Sequence, residues 1–163
     1  MIQHPFPPLF DGDSKVLILG SFPSVKSREQ MFFYGHPQNR FWKVVAGVFC
    51  DAVPQTIEEK EAFLHKHHVA LWDVIASCDI KGSADSSIQN VTANDLSVIL
   101  KSANIRQIFV NGKTAEKYYI KYTEKETGRK AICLPSPSPA NAAWSVEKLV
   151  EAWCAIKESC EKV

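Results

Sequence analysis

The sequence predicts an α/β fold, a three-layer α/β/α domain around a central, mostly parallel four-stranded sheet. Four short apolar runs recur along the 163 residues, and segments with the apolar spacing of helices separate them. Strands that alternate with helices are joined by right-handed crossovers, which produce a parallel sheet covered on both faces. Neither an internal repeat nor a linker-like segment divides the chain. We therefore expect a single domain over residues 1–163, long enough to bury its own core.

Each predicted strand is a short apolar segment bounded by polar or turn-forming residues. The first, "KVLILG" at 15–20, follows the turn-like "DGDS" and ends in Gly, which is typical of a fully buried strand. The other three are "VALWDV" (69–74), "IRQIFVN" (105–111) and "AICLP" (131–135).

The segments between these strands have the apolar spacing of helices. The first is "NRFWKVVAGVFC" (39–50). The second, "TIEEKEAFLHKHH" (56–68), opens with Thr followed three residues later by Glu, a capping box. Three more helices are predicted: "TANDLSVILKSA" (92–103), "TAEKYYIKY" (114–122) and "NAAWSVEKLVEAWCAIKESC" (141–160). A charged turn, "TEKETGRK", is predicted before the last strand.

Composition excludes several classes of protein. The formal net charge of +1 excludes a strongly basic chain, although a neutral domain can carry a local basic face for nucleic acid. The sequence contains no run of about 18 apolar residues, so it indicates no membrane span. The start "MIQHPFPPLF" lacks the basic residues and long apolar run of a signal peptide. We expect a cytoplasmic protein with no membrane contact.

The cysteines predict free thiols rather than disulfides or a metal site. They form an odd set of five with no CxxC pair, so we expect reduced, mostly buried side chains. Because no close Cys/Cys or Cys/His spacing recurs, we expect no metal.

Polar loops leave the carboxyl ends of the predicted strands, where ligands bind in parallel sheets. Asp73 ends the second strand and is a candidate site residue, although bonding to local backbone N–H groups would also explain it. The loops are "GSFPSVKSREQMFFYGHPQN" (20–39), "DVIASCDIKGSADSSIQN" (73–90), "NGKT" (111–114) and "LPSPSPAN" (134–141). We expect them to converge on one site.

The segment "FFYGHPQNRFW" (32–42) is unusually rich in both aromatic and hydrogen-bonding side chains. Phe33 or Tyr34 offers a flat face that can stack on a planar ligand. Asn39 offers a donor and an acceptor, which suits the edge of a nucleobase, and it can equally cap the following helix. His36 adds a further polar group to the same loop.

Two shorter loops complete the predicted edge. In "GSFPS" (20–24) the Gly permits close backbone approach and the Pro fixes the chain direction. The loop lacks the second Gly and the Gly-Lys-Ser/Thr of a phosphate loop, and by itself it is typical of a strand exit. The stiff "SPSP" (136–139) offers hydroxyl and N–H groups to phosphates, or simply links the last strand to the last helix.

Taken together, these segments resemble the uracil-DNA glycosylase superfamily. "GSFPS" (20–24), "HPQNRFWKV" (36–44) and "LPSPS" (134–138) are similar, in order, to three motifs of its mismatch-specific uracil/thymine branch. Those motifs are Gly-Ile-Asn-Pro-Gly, His-Pro-x-Asn-Arg-Phe-Trp-Lys-Val and Leu-Pro-Asn-Pro-Ser. "IFVNGKTAEKYY" (108–119) and "SVEKLVEAW" (145–153) extend the likeness over nearly the whole chain.

One difference from the first of these motifs indicates which branch of the superfamily the chain resembles. The uracil-cleaving branches have a water-positioning Asp or Asn before the Pro of the first motif, whereas this chain has Phe22. The hypoxanthine (deoxyinosine) DNA glycosylase branch also lacks that polar residue and relies on the Asn of the second motif, which is Asn39 here. The resemblance is therefore closest to the hypoxanthine branch.

The resemblance implies hydrolysis of the N-glycosidic bond of a flipped, deaminated nucleotide during base excision repair. Asn39 would bond the base edge or position the water, and Tyr34 would sandwich the base, with Phe33 as the alternative. Arg40 would face the surface or a phosphate, and Phe41 and Trp42 would anchor the loop in the core. The base-binding set is Gly20, Ser21, Phe22, Pro23, Phe33, Tyr34 and His36. The DNA-binding set is Ser24, Lys113, Ser136, Pro137, Ser138, Pro139 and Asn141.

The same resemblance implies a monofunctional enzyme without a cofactor, because no motif contains a Lys placed for lyase chemistry. DNA with a deaminated base is the expected partner, and we expect a monomer that needs no protein partner. Three alternatives remain open: a uracil or mismatch glycosylase with an atypical catalytic set, a non-catalytic nucleic-acid-binding domain on this fold, and a nucleoside-binding protein.

Overall fold

Two β-sheets form the framework of the protein, which a computed structural model describes over residues 1–161. The strands are short, as the sequence predicts for a small α/β protein. In chain order they are β1 (Ile2–Gln3), β2 (Val16–Gly20), β3 (Val69–Asp73), β4 (Ile75–Asp79), β5 (Gln89–Ala93), β6 (Gln107–Asn111) and β7 (Ala131–Leu134).

The central sheet has the strand order β3-β2-β6-β7, and every pair in it is parallel. The predicted four-stranded parallel sheet is therefore confirmed. The carboxyl ends of its strands are aligned at one edge, where Gly20 lies opposite Asp73 and Asn111 lies opposite Leu134. This alignment brings together loops that are far apart in sequence.

The helices surround the central sheet. In chain order the helices are α1 (Val25–Gln30), α2 (Phe41–Phe49), α3 (Ile57–Lys66), α4 (Ser97–Leu100), α5 (Lys113–Tyr118), α6 (Glu124–Thr127) and α7 (Val146–Glu161). A π-helical turn (Tyr119–Thr123) joins α5 to α6. Because α6 lies within the predicted charged turn, part of that turn is helical. The predicted cap of α3 is present, since Thr56 Oγ1 accepts a hydrogen bond from the Glu59 N–H at 3.0 Å.

The core lies on both faces of the sheet. Val16 and Ile18 of β2 pack into one cluster, with Phe41 of α2 and Trp153 of α7. Leu17 and Leu19 point to the other face and pack into a second cluster with residues of α4, α5 and β6. All five residues of β2 are buried, because successive side chains enter opposite apolar layers.

A second sheet, antiparallel with the order β1-β4-β5, is not predicted by the sequence. The expectations of a loop over 73–90 and a helix over 92–103 are wrong in part, since β4 and β5 occupy these segments. Because β5 is mostly exposed and polar, its side chains give no clear apolar alternation. Helix α4 is restricted to four residues, and the Asp95 carboxylate accepts from the Ser97 N–H at 2.9 Å at its start.

The remaining sequence expectations concern cysteines and membranes. All five cysteines are free, but only Cys78 is fully buried, while Cys50 is exposed and the other three are half-buried. Within residues 1–161, no helix combines the length and the apolar character needed to cross a bilayer.

Candidate active site

A cavity of about 260 Å³ opens at the carboxyl edge of the central sheet. A neighbouring cleft of about 590 Å³ shares part of its wall, including Ser21, Asn111 and Ser136. Most of the predicted residues line the cavity: Gly20, Ser21, Phe22, Pro23, Ser24, Phe33, Tyr34, His36, Asn39, Ser136, Ser138 and Pro139. Lys113 and Asn141 line the cleft instead, and Pro137 lines neither space.

The floor of the cavity depends on close contact between β2 and β3. A Cβ atom placed on Gly20 would lie 2.4 Å from Asp73 Oδ1 and 3.3 Å from Tyr34 Oη. Only Gly therefore lets the carboxylate and the phenol approach this point of the backbone.

Tyr34 is held in a fixed orientation by three neighbours. Its backbone has a φ of 50°, and the Trp42 indole N–H donates to its carbonyl at 3.2 Å. Its ring stacks on Phe41 with the centroids 3.9 Å apart, and its hydroxyl accepts from Asn111 Nδ2 at 3.0 Å. Burial, and next the charge of Asp73, raise the pKa of Tyr34 far above its usual value. The phenol is therefore neutral and has a proton to donate.

Asn39 both bonds to the first residue of α2 and lines the cavity. The Phe41 N–H donates to Asn39 Oδ1 at 2.9 Å, but the N-cap position of α2 is Arg40, so the prediction that Asn39 is the N-cap residue is wrong by one position. Because a backbone N–H can only donate, this bond identifies which side-chain atom is the oxygen. Within residues 1–161, no group accepts a hydrogen bond from Asn39 Nδ2, so this amide group is free to donate to a ligand.

His36 presents a second donor by a similar local contact. The Gln38 N–H donates to His36 Nδ1 at 3.1 Å, which requires a lone pair on that nitrogen. The neutral ring then has its proton on Nε2. His36 thus adds an N–H group to the cavity wall beside Asn39.

A chain of hydroxyl contacts joins the first two motifs. Ser24 caps α1 by accepting from the Ser27 N–H at 3.2 Å, and its hydroxyl donates to Ser27 Oγ at 3.1 Å. Ser27 Oγ in turn accepts from the Gly35 N–H at 2.9 Å. The hydroxyl of Ser24, which we expected to bind DNA, therefore braces the loop in this structure.

Arg40 connects the second motif to the last one. The expectation that it faces the surface or a phosphate is wrong, because its guanidinium points into the loop after β7. Its backbone N–H also donates to the Pro137 carbonyl at 3.2 Å. The guanidinium donates to four carbonyl oxygens, those of Pro137, Ser138, Asn141 and Trp144. A planar group with five donors suits such a multiple contact.

The last loop is also braced from within. Asn141 Nδ2 donates to the Ser136 carbonyl at 3.0 Å, and the Ser138 N–H donates to Ser136 Oγ at 3.1 Å. At its base, the buried indole of Trp153 donates to the Pro135 carbonyl at 2.8 Å. These bonds hold the loop in a defined shape at the edge of both the cavity and the cleft.

Several residues at the site are absent from the predicted sets. Asn111 ends β6 on the cavity, and the strand-end argument applied to Asp73 would have found it. Ser27 and Asp85 lie within the predicted loops, but nothing in their spacing distinguishes them from neighbouring polar residues. His4 does not line the cavity, but its Nε2 lies 2.7 Å from Asp73 Oδ2; it has no sequence signal, since it lies in a Pro-rich segment far from every motif.

Phe22 fills the position where a catalytic acid or amide was considered. Its side chain is 9% exposed, and its ring meets His4 edge-on at 6.0 Å between centroids. It thus offers an apolar wall and no proton acceptor. Among residues 1–161, no group of three or more His, Cys, Asp or Glu side chains is arranged to hold a metal ion.

Comparisons with known proteins agree with this geometry. The sequence model of the uracil DNA glycosylase superfamily matches residues 7–157, and so includes every segment that lines the cavity. The chain belongs to this superfamily. The resemblance inferred from the three motifs is therefore confirmed.

Individual members of the superfamily are similar over most of their length. A curated hypoxanthine DNA glycosylase from Methanosarcina acetivorans is 34% identical over 158 residues, covering 96% of this chain and 98% of the relative. One from Methanosarcina barkeri is 29% identical over 120 residues, covering 72% of this chain and 76% of the relative. The solution NMR structure of a Methanosarcina acetivorans protein, described as a candidate uracil DNA glycosylase, has a TM-score of 0.79 and 30% identity. It covers 96% of this chain and 99% of its own.

Proposed function

We propose that this superfamily member is a monofunctional DNA glycosylase that hydrolyses the N-glycosidic bond of deaminated nucleotides, with hypoxanthine as its main substrate. Two Methanosarcina relatives carry the name hypoxanthine DNA glycosylase. Phe22 also disfavours the uracil-cleaving alternative, because that chemistry uses a polar residue at this position to orient water.

The observation that carries the proposal is a set of three donors around one cavity. Asn39, His36 and Tyr34 all line it, and they carry the Nδ2, Nε2 and hydroxyl donors. When the glycosidic bond breaks, the base departs with negative charge on its ring nitrogens and exocyclic oxygen. Fixed donors that meet this charge stabilise the transition state without any rearrangement.

The substrate has to leave the helical stack to reach these donors. Extrusion of a nucleotide costs a few kcal/mol, and least for a base that pairs poorly, such as hypoxanthine. Asn39 Oδ1 is already bonded to the Phe41 N–H. We therefore assign the Nδ2 group of Asn39 to the departing base, in preference to the water-positioning role.

The adjoining cleft is the proposed path of the DNA strand. Lys113 and Asn141 line it, and the braced loop with Ser136 and Ser138 forms the wall between the cleft and the cavity. Backbone and hydroxyl groups of such a loop, together with a lysine, suit phosphate contacts. Action as a monomer in the cytoplasm, without a protein partner, is part of the same proposal.

Oligonucleotides that each carry a single hypoxanthine, uracil, xanthine or mismatched thymine test the proposal. We expect abasic sites at hypoxanthine, with slower or no cutting of the other three. If duplex DNA is bound but none of the four bases is released, the non-catalytic binding domain is the better description. If binding does not weaken as salt rises, the protein does not contact phosphates, which would favour the nucleoside-binding alternative.

A further inference from the structure

A row of exposed lysines begins at the cleft and leaves the site along α5 and the helical turns that follow it. Its members are spaced by four residues, and we call them the lysine row: Lys113, Lys117, Lys121 and Lys125. Lys113 lines the cleft that is the proposed path of the DNA strand. The proposed mechanism uses none of the other three.

The lysine row gives a nearly neutral protein one basic surface. Between residues 113 and 130 the chain has six basic and three acidic side chains, although the formal net charge of the whole chain is only +1. Within residues 1–161, no lysine of the row forms an ion pair, whereas Lys26, Lys66 and Lys157 are each paired with a carboxylate. The protein itself therefore leaves the charge of the row unneutralised.

The acid nearest the start of the row is turned away from it. Glu116 lines the cleft, but its carboxylate faces Cys133 on β7. Burial, and next the charge of Glu116, raise the pKa of the Cys133 thiol. This carboxylate therefore does not interrupt the line of positive charge that starts at Lys113.

The π-helical turn (Tyr119–Thr123) helps to keep the lysine row on one face. In an α-helix of about 3.6 residues per turn, side chains four positions apart drift around the axis by about 40° at each step. A π turn contains more residues per turn, so the step from Lys117 to Lys121 drifts less. Such turns occur frequently at functional sites, and none of the three motifs of the cavity accounts for this one.

Two lysines of the row are held in place over tyrosine rings. Lys117 Nζ lies 5.3 Å from the centroid of the Tyr118 ring, and Lys121 Nζ lies 5.1 Å from that of Tyr122. The two rings are nearly parallel, at 10°, with their centroids 6.1 Å apart. Each cation–π contact restricts a long, flexible side chain. Less side-chain entropy is then lost when the ammonium group binds an anion.

The lysine row leads from the site down the side of the protein. Because β6 and β7 are parallel, the helical segment between them returns from the carboxyl edge of the sheet toward the amino edge. At about 1.5 Å per residue, the distance from Lys113 to Lys125 is about 18 Å. A DNA strand advances about 3.4 Å per nucleotide along the helix axis, so the row matches about five nucleotides.

We propose that the lysine row binds the phosphates of DNA that flanks the flipped nucleotide, on one side of the lesion only. This inference rests on the proposed function and adds to it a contact of about five nucleotides outside the cavity and the cleft. A merely solvated helix face usually pairs Lys with Glu at this spacing. Here the charges have one sign, are unpaired and continue from the cleft.

Wild-type protein tests the extent of this contact. The probes are duplexes with one 2′-fluorinated deoxyinosine, whose glycosidic bond resists cleavage. The flank is lengthened on the 5′ side in one series and on the 3′ side in the other. We expect affinity to rise with flank length in one series only, and to stop rising after about five further nucleotides. No dependence on length, or the same dependence on both sides, overturns the inference.

The double variant Lys117→Gln with Lys121→Gln tests the residues themselves. On the long duplex, we expect the slope of log affinity against log salt to become shallower by about 2. A fourfold rise in salt should then weaken binding by the variant about tenfold less than binding by the wild type. On a duplex too short to reach the row, the two proteins should bind equally.

The matched control is the double variant Lys66→Gln with Lys157→Gln. It loses the same charge from α3 and α7, which pack against the other face of the sheet, and its salt slope should equal that of the wild type. If the two double variants have the same slope on the long duplex, the lysine row does not contact DNA and this inference alone fails. If the wild type binds no duplex of either length, the proposed function fails and this inference fails with it.

Discussion

The variant Asn39→Asp separates the two roles considered for Asn39. It replaces the NH₂ donor by an oxygen but keeps an acceptor for the Phe41 N–H, which Asn39 Oδ1 now binds at 2.9 Å. A carboxylate at the start of α2 also interacts favourably with the helix dipole, by about 0.3–1 kcal/mol. We therefore expect no loss of thermal stability.

The expected loss of activity follows from the missing donor. Removal of one donor to a developing anion costs about 2.7–4 kcal/mol, or about 10²–10³ in rate. The new negative charge beside the departing base adds to this loss. If the side-chain oxygen of Asn39 instead positioned the water, the carboxylate would be the stronger acceptor and the variant would keep or exceed the wild-type rate.

Single-turnover cleavage of a hypoxanthine oligonucleotide, with the enzyme in excess, measures the effect directly. Asn39→Ala is the comparison, because it loses the donor and also the acceptor for the Phe41 N–H, a bond worth about 1 kcal/mol of stability. We expect both variants to be slow, but only Asn39→Ala to have a lower melting temperature. An Asn39→Asp rate within threefold of the wild type would refute the reasoning.

Three further substitutions test other parts of the site. Arg40→Lys removes the planar group that bonds four carbonyls, so we expect kcat/KM to fall about tenfold, with KM carrying most of the change; an unchanged KM would argue against the clamp. Tyr34→Phe removes the neutral hydroxyl and leaves Asn111 Nδ2 without its acceptor. We expect a loss of about tenfold or more in the single-turnover rate, and a wild-type rate would show that the phenol does not act on the base. Lys113→Ala should weaken DNA binding and reduce the slope of log affinity against log salt by about 1, whereas an unchanged slope would place Lys113 away from phosphates.

The sequence predicts the central sheet well because its strands are buried on both faces. A run such as Val16–Gly20 contains no alternating polar residues, so its pattern is easily distinguished from that of an exposed segment. The antiparallel sheet is different, since β5 is polar and mostly exposed and only its pairing with β4 defines it as a strand. Local propensity carries no information about such tertiary pairing.

The candidate site divides in the same way. Asn39 can be found from the sequence because it lies in a dense motif, and its bond to the Phe41 N–H is local in the chain. Arg40 lies in that motif too, but its partners are 97 to 104 residues away and are backbone oxygens, which every residue type has. His4 reaches Asp73 across 69 residues through the unpredicted sheet. Contacts of this kind depend on the fold, and no residue spacing reveals them.

The clamp by Arg40 has a consequence for engineering. Because every acceptor it uses belongs to the main chain, the contacts of Arg40 do not require particular side chains at residues 137 and 138. The position of the loop therefore depends on Arg40 in the second motif together with Ser136 and Asn141, which bond within the loop. Libraries that vary residues 138 to 140 keep the backbone acceptors of Arg40 and the bond from Asn141 to Ser136, and can therefore sample new preferences for strand context.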